Sequence, residues 1–283
     1  MNIQNIISEI EKTDPEIYDR LDTRRTAMKS FAKVSGKIAL AALPFALGSM
    51  FKKAYGSPTS PTDIVIDTLN FALTLEYLES NFYIQAVNSG MIPAGGALNA
   101  LTVIRDHENE HVNFLKTAIT AAGATPVSFT AANFDFTAGG TFPTVFSDYG
   151  TLLAVAQTFE DTGVRAYKGQ AGNLMSNNDY LTAALQIHSV EARHAAHIRE
   201  MRKAANLLVP AGVDVKPWIT LNESGIGTPA VQASYDGEES VMQAGIAITQ
   251  IGGTQITAAA ASEAFDEPLT KEQITAIVTP FFA

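Results

Sequence analysis

Glu108-Asn109-Glu110-His111 and Glu191-Ala192-Arg193-His194 repeat one pattern 83 residues apart, a glutamate followed three positions later by a histidine. Positions three apart share one face of an α-helix, so each pair points a carboxylate and an imidazole the same way. Working outward, each unit is preceded by a glutamate in its own apolar helical segment, Glu76 lying 32 residues before Glu108 and Glu160 lying 31 before Glu191. Glu76 and Glu160 stand 84 residues apart, so the chain reads as a duplicated helix pair. It gathers four carboxylates and two imidazoles, the ligand set of a carboxylate-bridged dinuclear metal site in a four-helix bundle.

One Glu-x-x-His alone is weak and is usually a solvated polar pair. Here both copies recur at matching places in long apolar helices. Glu76 sits in Leu73-Thr74-Leu75-Glu76-Tyr77-Leu78, and Glu160 follows Val155-Ala156-Gln157-Thr158-Phe159. Four buried, unpaired carboxylates would be prohibitively costly, whereas coordination to two divalent cations removes that penalty. Glu108 and Glu191 are expected to bridge, with Glu76 and Glu160 as terminal ligands and His111 and His194 giving one nitrogen to each metal. This hard donor set suits two Fe or two Mn ions and does not choose between them.

The repeat extends beyond the ligands. Tyr83 and Tyr167 each follow their helix's glutamate by seven residues, two turns along nearly the same face, and are the candidate catalytic side chains; core packing is an equal reading. Glu79 has no counterpart, since Gly163 occupies its repeat position. It is an extra carboxylate or an access-channel residue. Glu110 falls on a solvated face. Asp106 and Asp161 are candidates to orient the histidines or to pair with Arg105, Arg165 or Arg193. His107, His188 and His197 lie off the ligand face and are assigned outside the ligand set.

Helical spacing predicts four helices, from Thr62-Asp63 as a cap to about Asn88, about Ala97 to Ala122 with Gly123 as the stop, about Ser147 to Ala171, and Asn178 or Asp179 to Leu207. The long Thr/Phe/Gly/Pro-rich stretch Ala124 to Phe146 is the one crossover that a bundle with parallel second and third helices needs. After Pro210 the pattern changes. Val213 to Asn222 reads as extended, Glu238 to Gln250 has helical spacing, and Thr270 with Gln273 forms a capping box for a last short helix. Trp218, the sole tryptophan, is read as a packing anchor.

The formal charge of −10 and pI near 4.9 argue against a nucleic-acid partner, and the lack of cysteine removes disulfide, thiolate and Fe–S chemistry. The charge is uneven. Residues 1–56 hold 9 Lys/Arg against 6 Asp/Glu. There, Thr23-Arg24-Arg25-Thr26-Ala27-Met28-Lys29 precedes an apolar run centred on Ile38 to Leu47 and resembles a twin-arginine export signal, with Ala54-Tyr55-Gly56 or Ala46-Leu47-Gly48 as a cleavage site. Lys33, Lys37 and Pro44 break the run, which disfavours a conventional permanent span. The expected division is an export signal over 1–56, a bundle over 57–208 and a C-terminal extension over 209–283 packed on it. Periplasmic or other export is expected, with a membrane anchor facing the periplasm as the alternative.

Leu75-Glu76-Tyr77-Leu78-Glu79 with Phe82-Tyr83 and the two Glu-x-x-His units resembles the bacterial ferritin-like domain proteins, relatives of desiccation-related proteins, over roughly Pro61 to Leu208. Glu238-Glu239-Ser240 through Ala264-Phe265-Asp266-Glu267-Pro268-Leu269-Thr270 resembles their C-terminal extension. The resemblance implies an all-α, ferritin-like four-helix bundle with a long crossover between helices 2 and 3. It also implies metal ligands at Glu76, Glu108, His111, Glu160, Glu191 and His194, and an exported stress-associated protein. It fixes no reaction. Three readings stay open: Fe(II) oxidation, manganese catalase-like consumption of peroxide, and a metal-stabilised structural or protective protein. The partners so expected are the metal ions, dioxygen or hydrogen peroxide, the export machinery in transit, and a second copy of the chain in a homo-oligomer.

Overall fold

The computed structural model describes residues 61–253 and 255–283, so the export-signal reading over 1–56 lies outside the described residues. Four long helices dominate: α1 (Pro61–Asn88), α2 (Gly96–Ala121), α3 (Tyr149–Gln170) and α4 (Asn178–Ala205). The helix starts follow local chemistry. Pro61 opens α1, where a missing N–H costs nothing, so Thr62 and Asp63 fall inside the first turn instead of before it. Asp148 caps α3 by accepting from the Thr151 amide at 2.7 Å, and the Asn177 side chain accepts from the amides of Asp179 and Tyr180 to cap α4. Gly123 after α2 has φ +80°, the left-handed stop its sequence position predicts.

α1 packs on α2 and α3 on α4. The crossover between α2 and α3 holds one 3-10 turn, Ala131–Asn133. Its phenylalanines pack onto α1 and, through it, α3: Phe136 packs edge-on to Phe82 of α1 at 5.5 Å between ring centroids, and Phe82 packs edge-on to Phe159 of α3 at 5.2 Å. The chain's end joins this cluster, with Phe281 edge-on to Phe159 at 4.7 Å and the Asp135 amide donating to the Phe281 carbonyl at 2.8 Å.

Every side chain from Leu152 to Tyr167 of α3 is buried, which a bundle alone cannot do for an outer helix face. The segment after Pro210 supplies the cover. Gln157 donates to the Ser224 carbonyl and the Tyr235 hydroxyl, and Thr162 to the Ser234 hydroxyl. Arg165 donates to the carbonyls of Ser234, Asp236 and Glu267 and pairs with Glu238 at 2.7 Å. Gly169 lets the backbone approach, for a Cβ there would lie 2.0 Å from the Leu269 carbonyl oxygen.

This segment also corrects three expectations. Glu238 to Gln250 forms a hairpin, β1 (Met242–Gln243) paired antiparallel with β2 (Ile246–Ala247), followed by a 3-10 turn. The two residues between the strands, Ala244 and Gly245, both have positive φ, so a two-residue hairpin turn overrides the helical spacing. Val213 to Asn222 makes no strand, only an isolated bridge from Thr220 to Glu223. Trp218 is 48% exposed and meets the Glu263 carboxylate instead of packing in the core, its neighbour Ile219 being the buried residue. Two short helices follow, α5 (Ala258–Ser262) and α6 (Lys271–Val278), the latter opened by the expected reciprocal Thr270/Gln273 capping box. No described helix is long and apolar enough to cross a membrane.

Candidate metal centre

The four helices bring all six expected ligands together. Glu76, Glu108, His111 and Glu191 offer one donor atom each within 4.8 Å of one another, and Glu108, Glu160, Glu191 and His194 form a second such group. Glu108 and Glu191 belong to both groups. Glu76 with His111 completes one, and Glu160 with His194 the other, so two adjacent positions share two carboxylates. All four glutamates are fully buried.

Each histidine turns its Nδ1 toward three carboxylates. For His111 these are Glu76 at 3.1 Å, Glu108 at 3.0 Å and Glu191 at 3.2 Å. For His194 they are Glu108 at 2.9 Å, Glu160 at 3.2 Å and Glu191 at 3.7 Å. Burial opposes charging both imidazoles, yet the facing carboxylates outweigh it and raise both pKa values far above the usual histidine range. Burial pushes Glu76 up to about 8 and holds Glu160 well above the carboxylate range. Glu191 goes the other way: burial raises it, but hydrogen bonds and charge from His111 and His194 draw it below the usual range. Protons thus supply the positive charge that this cluster of acids demands.

Divalent cations fit the same need. Glu108 and Glu191, the carboxylates common to both groups, each turn one oxygen toward His111 Nδ1 and the other toward His194 Nδ1, so two ring nitrogens are shared among four buried oxygens. Two dications would neutralise four carboxylates while the imidazoles stay neutral, and the oxygen-rich set matches hard or borderline metals. The two groups of buried acid and histidine are geometrically consistent with a dinuclear metal site.

The two tyrosines cross the bundle. Tyr83 of α1 donates to Glu160 of α3, and Tyr167 of α3 donates to Glu76 of α1. Each phenol therefore holds the glutamate of the other half instead of the one two turns away on its own helix. Burial first, then the adjacent carboxylates, raises both phenol pKa values, so both remain donors.

Glu79 lies outside both ligand groups but close by. A Cβ on Gly163 would sit 3.1 Å from Glu79 Oε1 and 3.6 Å from Glu191 Oε2, so the missing side chain at the repeat position is what makes room for this fifth buried carboxyl. Burial, then Glu191, Glu160, Glu108 and Glu76, hold its pKa well above the usual range.

Of the remaining residues, Asp106 pairs with Arg105 at the surface as one expected option had it. Asp161 does not pair with Arg105, Arg165 or Arg193; it meets Arg199 of α4 and accepts from the Tyr235 hydroxyl at 2.8 Å. Arg199 was invisible as its partner because α3 and α4 must pack before the two meet. His188 reaches the Val164 carbonyl at 3.0 Å, and His197 is exposed. His107 is exposed and outside both groups, but its Nδ1 lies 2.9 Å from His194 Nε2 with the rings within 17° of one plane, a contact its helical position alone did not signal.

No curated protein matches the chain. A ferritin-like domain family matches residues 64–204, the stretch holding all six grouped residues and both tyrosines. Four-helix architecture, the single long crossover and that match together show that this chain belongs to the ferritin-like superfamily.

Proposed function

We propose that this protein holds two iron or two manganese ions at Glu76, Glu108, His111, Glu160, Glu191 and His194, and that the centre oxidises Fe(II) or consumes peroxide. The observation that carries the reading is that Glu108 and Glu191 are shared by both ligand groups, each fully buried with its two oxygens turned toward the two ligand histidines. Bound there, the ions would supply one-electron redox steps toward dioxygen or hydrogen peroxide.

The chain's own residues set the conditions. Tyr83 and Tyr167 fix the terminal carboxylates by donating to Glu160 and Glu76. The Glu79 carboxyl holds a proton beside Gly163, close to Glu191. The apolar core excludes bulk water, which strengthens every charge interaction inside. With Fe(II) as substrate, two Fe(II) lose one electron each, dioxygen takes both with two protons, and hydrogen peroxide is released. With peroxide as substrate and a manganese centre, two peroxides give one dioxygen and two waters.

A second reading is a metal-stabilised envelope or stress-protection protein without turnover, favoured by the complete burial of the four glutamates. Export by a twin-arginine signal is part of the proposal and rests on the sequence around Arg24-Arg25; it would let metal load before translocation.

Elemental analysis of untagged protein purified without added metal tests this first. About two iron or manganese ions per chain are expected, with Glu108→Ala losing both; folded, metal-free protein rejects the centre. Stopped-flow Fe(II) oxidation and oxygen release from peroxide then separate turnover from scaffold, since a scaffold gains thermal stability from metal and shows neither reaction.

A further inference from the structure

The two halves of the site are equivalent in their ligands but not in what stands behind the histidines. His194 directs Nδ1 at Glu108, Glu160 and Glu191, and its other nitrogen, Nε2, meets His107 Nδ1 at 2.9 Å. The rings are nearly coplanar and meet edge to edge, with centroids 5.2 Å apart and 17° between planes. Among the described residues, hydrogen bonds to His111 are found only at its Nδ1. The repeat shows why: His107 directly precedes Glu108, whereas Val190 directly precedes Glu191.

Resting on the dinuclear reading above, we propose that His107 is a positioning residue for His194, making the metal position completed by Glu160 and His194 the tighter of the two. The argument is one of tautomers. An imidazole that coordinates through Nδ1 must carry its proton on Nε2, and that N–H needs an acceptor. His107 Nδ1 is the acceptor, which places the His107 proton on Nε2. That in-plane hydrogen bond then restrains His194 against rotation about its side-chain bonds. The His194 lone pair is held toward its three carboxylates before a cation arrives, so binding loses less ring freedom there than at His111. Because His107 is exposed, its own ring can be altered without opening a cavity in the core.

Partners of this kind behind a metal-binding histidine are worth about 10–100-fold in affinity. The test is Co(II) titration of the chelator-stripped full chain, followed by calorimetry and by the ligand-field bands that report each position. Wild type is expected to bind two ions with unequal affinity. His107→Phe should weaken the tighter step by about 10–100-fold and leave the weaker step unchanged. His107→Asn, whose side-chain oxygen can replace Nδ1 as acceptor, should restore most of the loss. Weakening of both steps alike, an unchanged titration in His107→Phe, or no rescue by His107→Asn would each overturn the positioning role while leaving the dinuclear site standing. Wild type that takes up no Co(II) overturns both.

Discussion

Glu76→Gln should change sign with metal. In the metal-free protein the Glu76 carboxyl is crowded by burial and by Glu191 and Glu108, which carry its pKa from an ordinary 4.5 up to about 8. At pH 7 the unfolded chain ionises this group and the folded chain keeps it protonated, so ionisation favours unfolding. A raised carboxylate pKa means stability that is intact below about 4.5 and falls as pH climbs toward about 8. From 4.5 to pH 7, at about 1.4 kcal/mol per pH unit, the loss is on the order of 3 kcal/mol. Glutamine resembles the protonated acid in shape and still accepts from the Tyr167 hydroxyl, so the variant should recover roughly that amount, a rise of about 6–12 °C in Tm for a domain of this size. At pH 4.5 the two proteins should melt together. With Mn(II) present the order reverses, because wild type gains binding energy through a charged ligand that glutamine cannot match. Thermal melts in chelator and in Mn(II), at pH 4.5 and 7, give the full comparison. A Glu76→Gln protein that is less stable than wild type in chelator at pH 7 would refute the account of a cluster strained by its own acids.

The crossed tyrosines predict selective damage. Tyr83→Phe should lower affinity at the position of Glu160 and His194, and Tyr167→Phe at that of Glu76 and His111, each by about 10–100-fold, with helical circular dichroism unchanged; stepwise metal titration of the two variants checks which step moves. Gly169→Ala tests the seating of the C-terminal segment. Its Cβ must displace the Leu269 carbonyl, straining the hydrogen bond from the Leu269 amide to the Arg165 carbonyl, and should cost roughly 1–3 kcal/mol in denaturant unfolding. Gly172→Ala, where a Cβ meets nothing within 4 Å, should stay within about 0.5 kcal/mol of wild type, and equal effects at the two sites would count against the close approach.

Much of the centre was legible in the sequence because its determinants are local. A three-residue step fixes that Glu108 and His111, or Glu191 and His194, share a helix face whatever the neighbours do. The same holds for the cap at Thr270, where side chain and amide are a few residues apart. The repeat near 83 residues then implied two matching halves and a single crossover between them. Local spacing misled at Glu238 to Gln250, where the backbone of Ala244 and Gly245 closes a hairpin.

What only the tertiary structure decided is how helices pass one another. Rotation and axial offset of α1 against α3 aim Tyr83 at Glu160 and Tyr167 at Glu76, a crossing that distance along either helix does not contain. The same offsets bring His107 to His194 across 87 positions and Arg199 to Asp161 across 38. They also explain α3, whose unbroken burial comes from a segment some 70 to 100 residues downstream that satisfies Gln157, Thr162 and Arg165. The sequence alone determined which side chains could meet a metal, because periodicity is a property of one helix. Their partners depend on packing, where shape and charge across separate helices settle the fit.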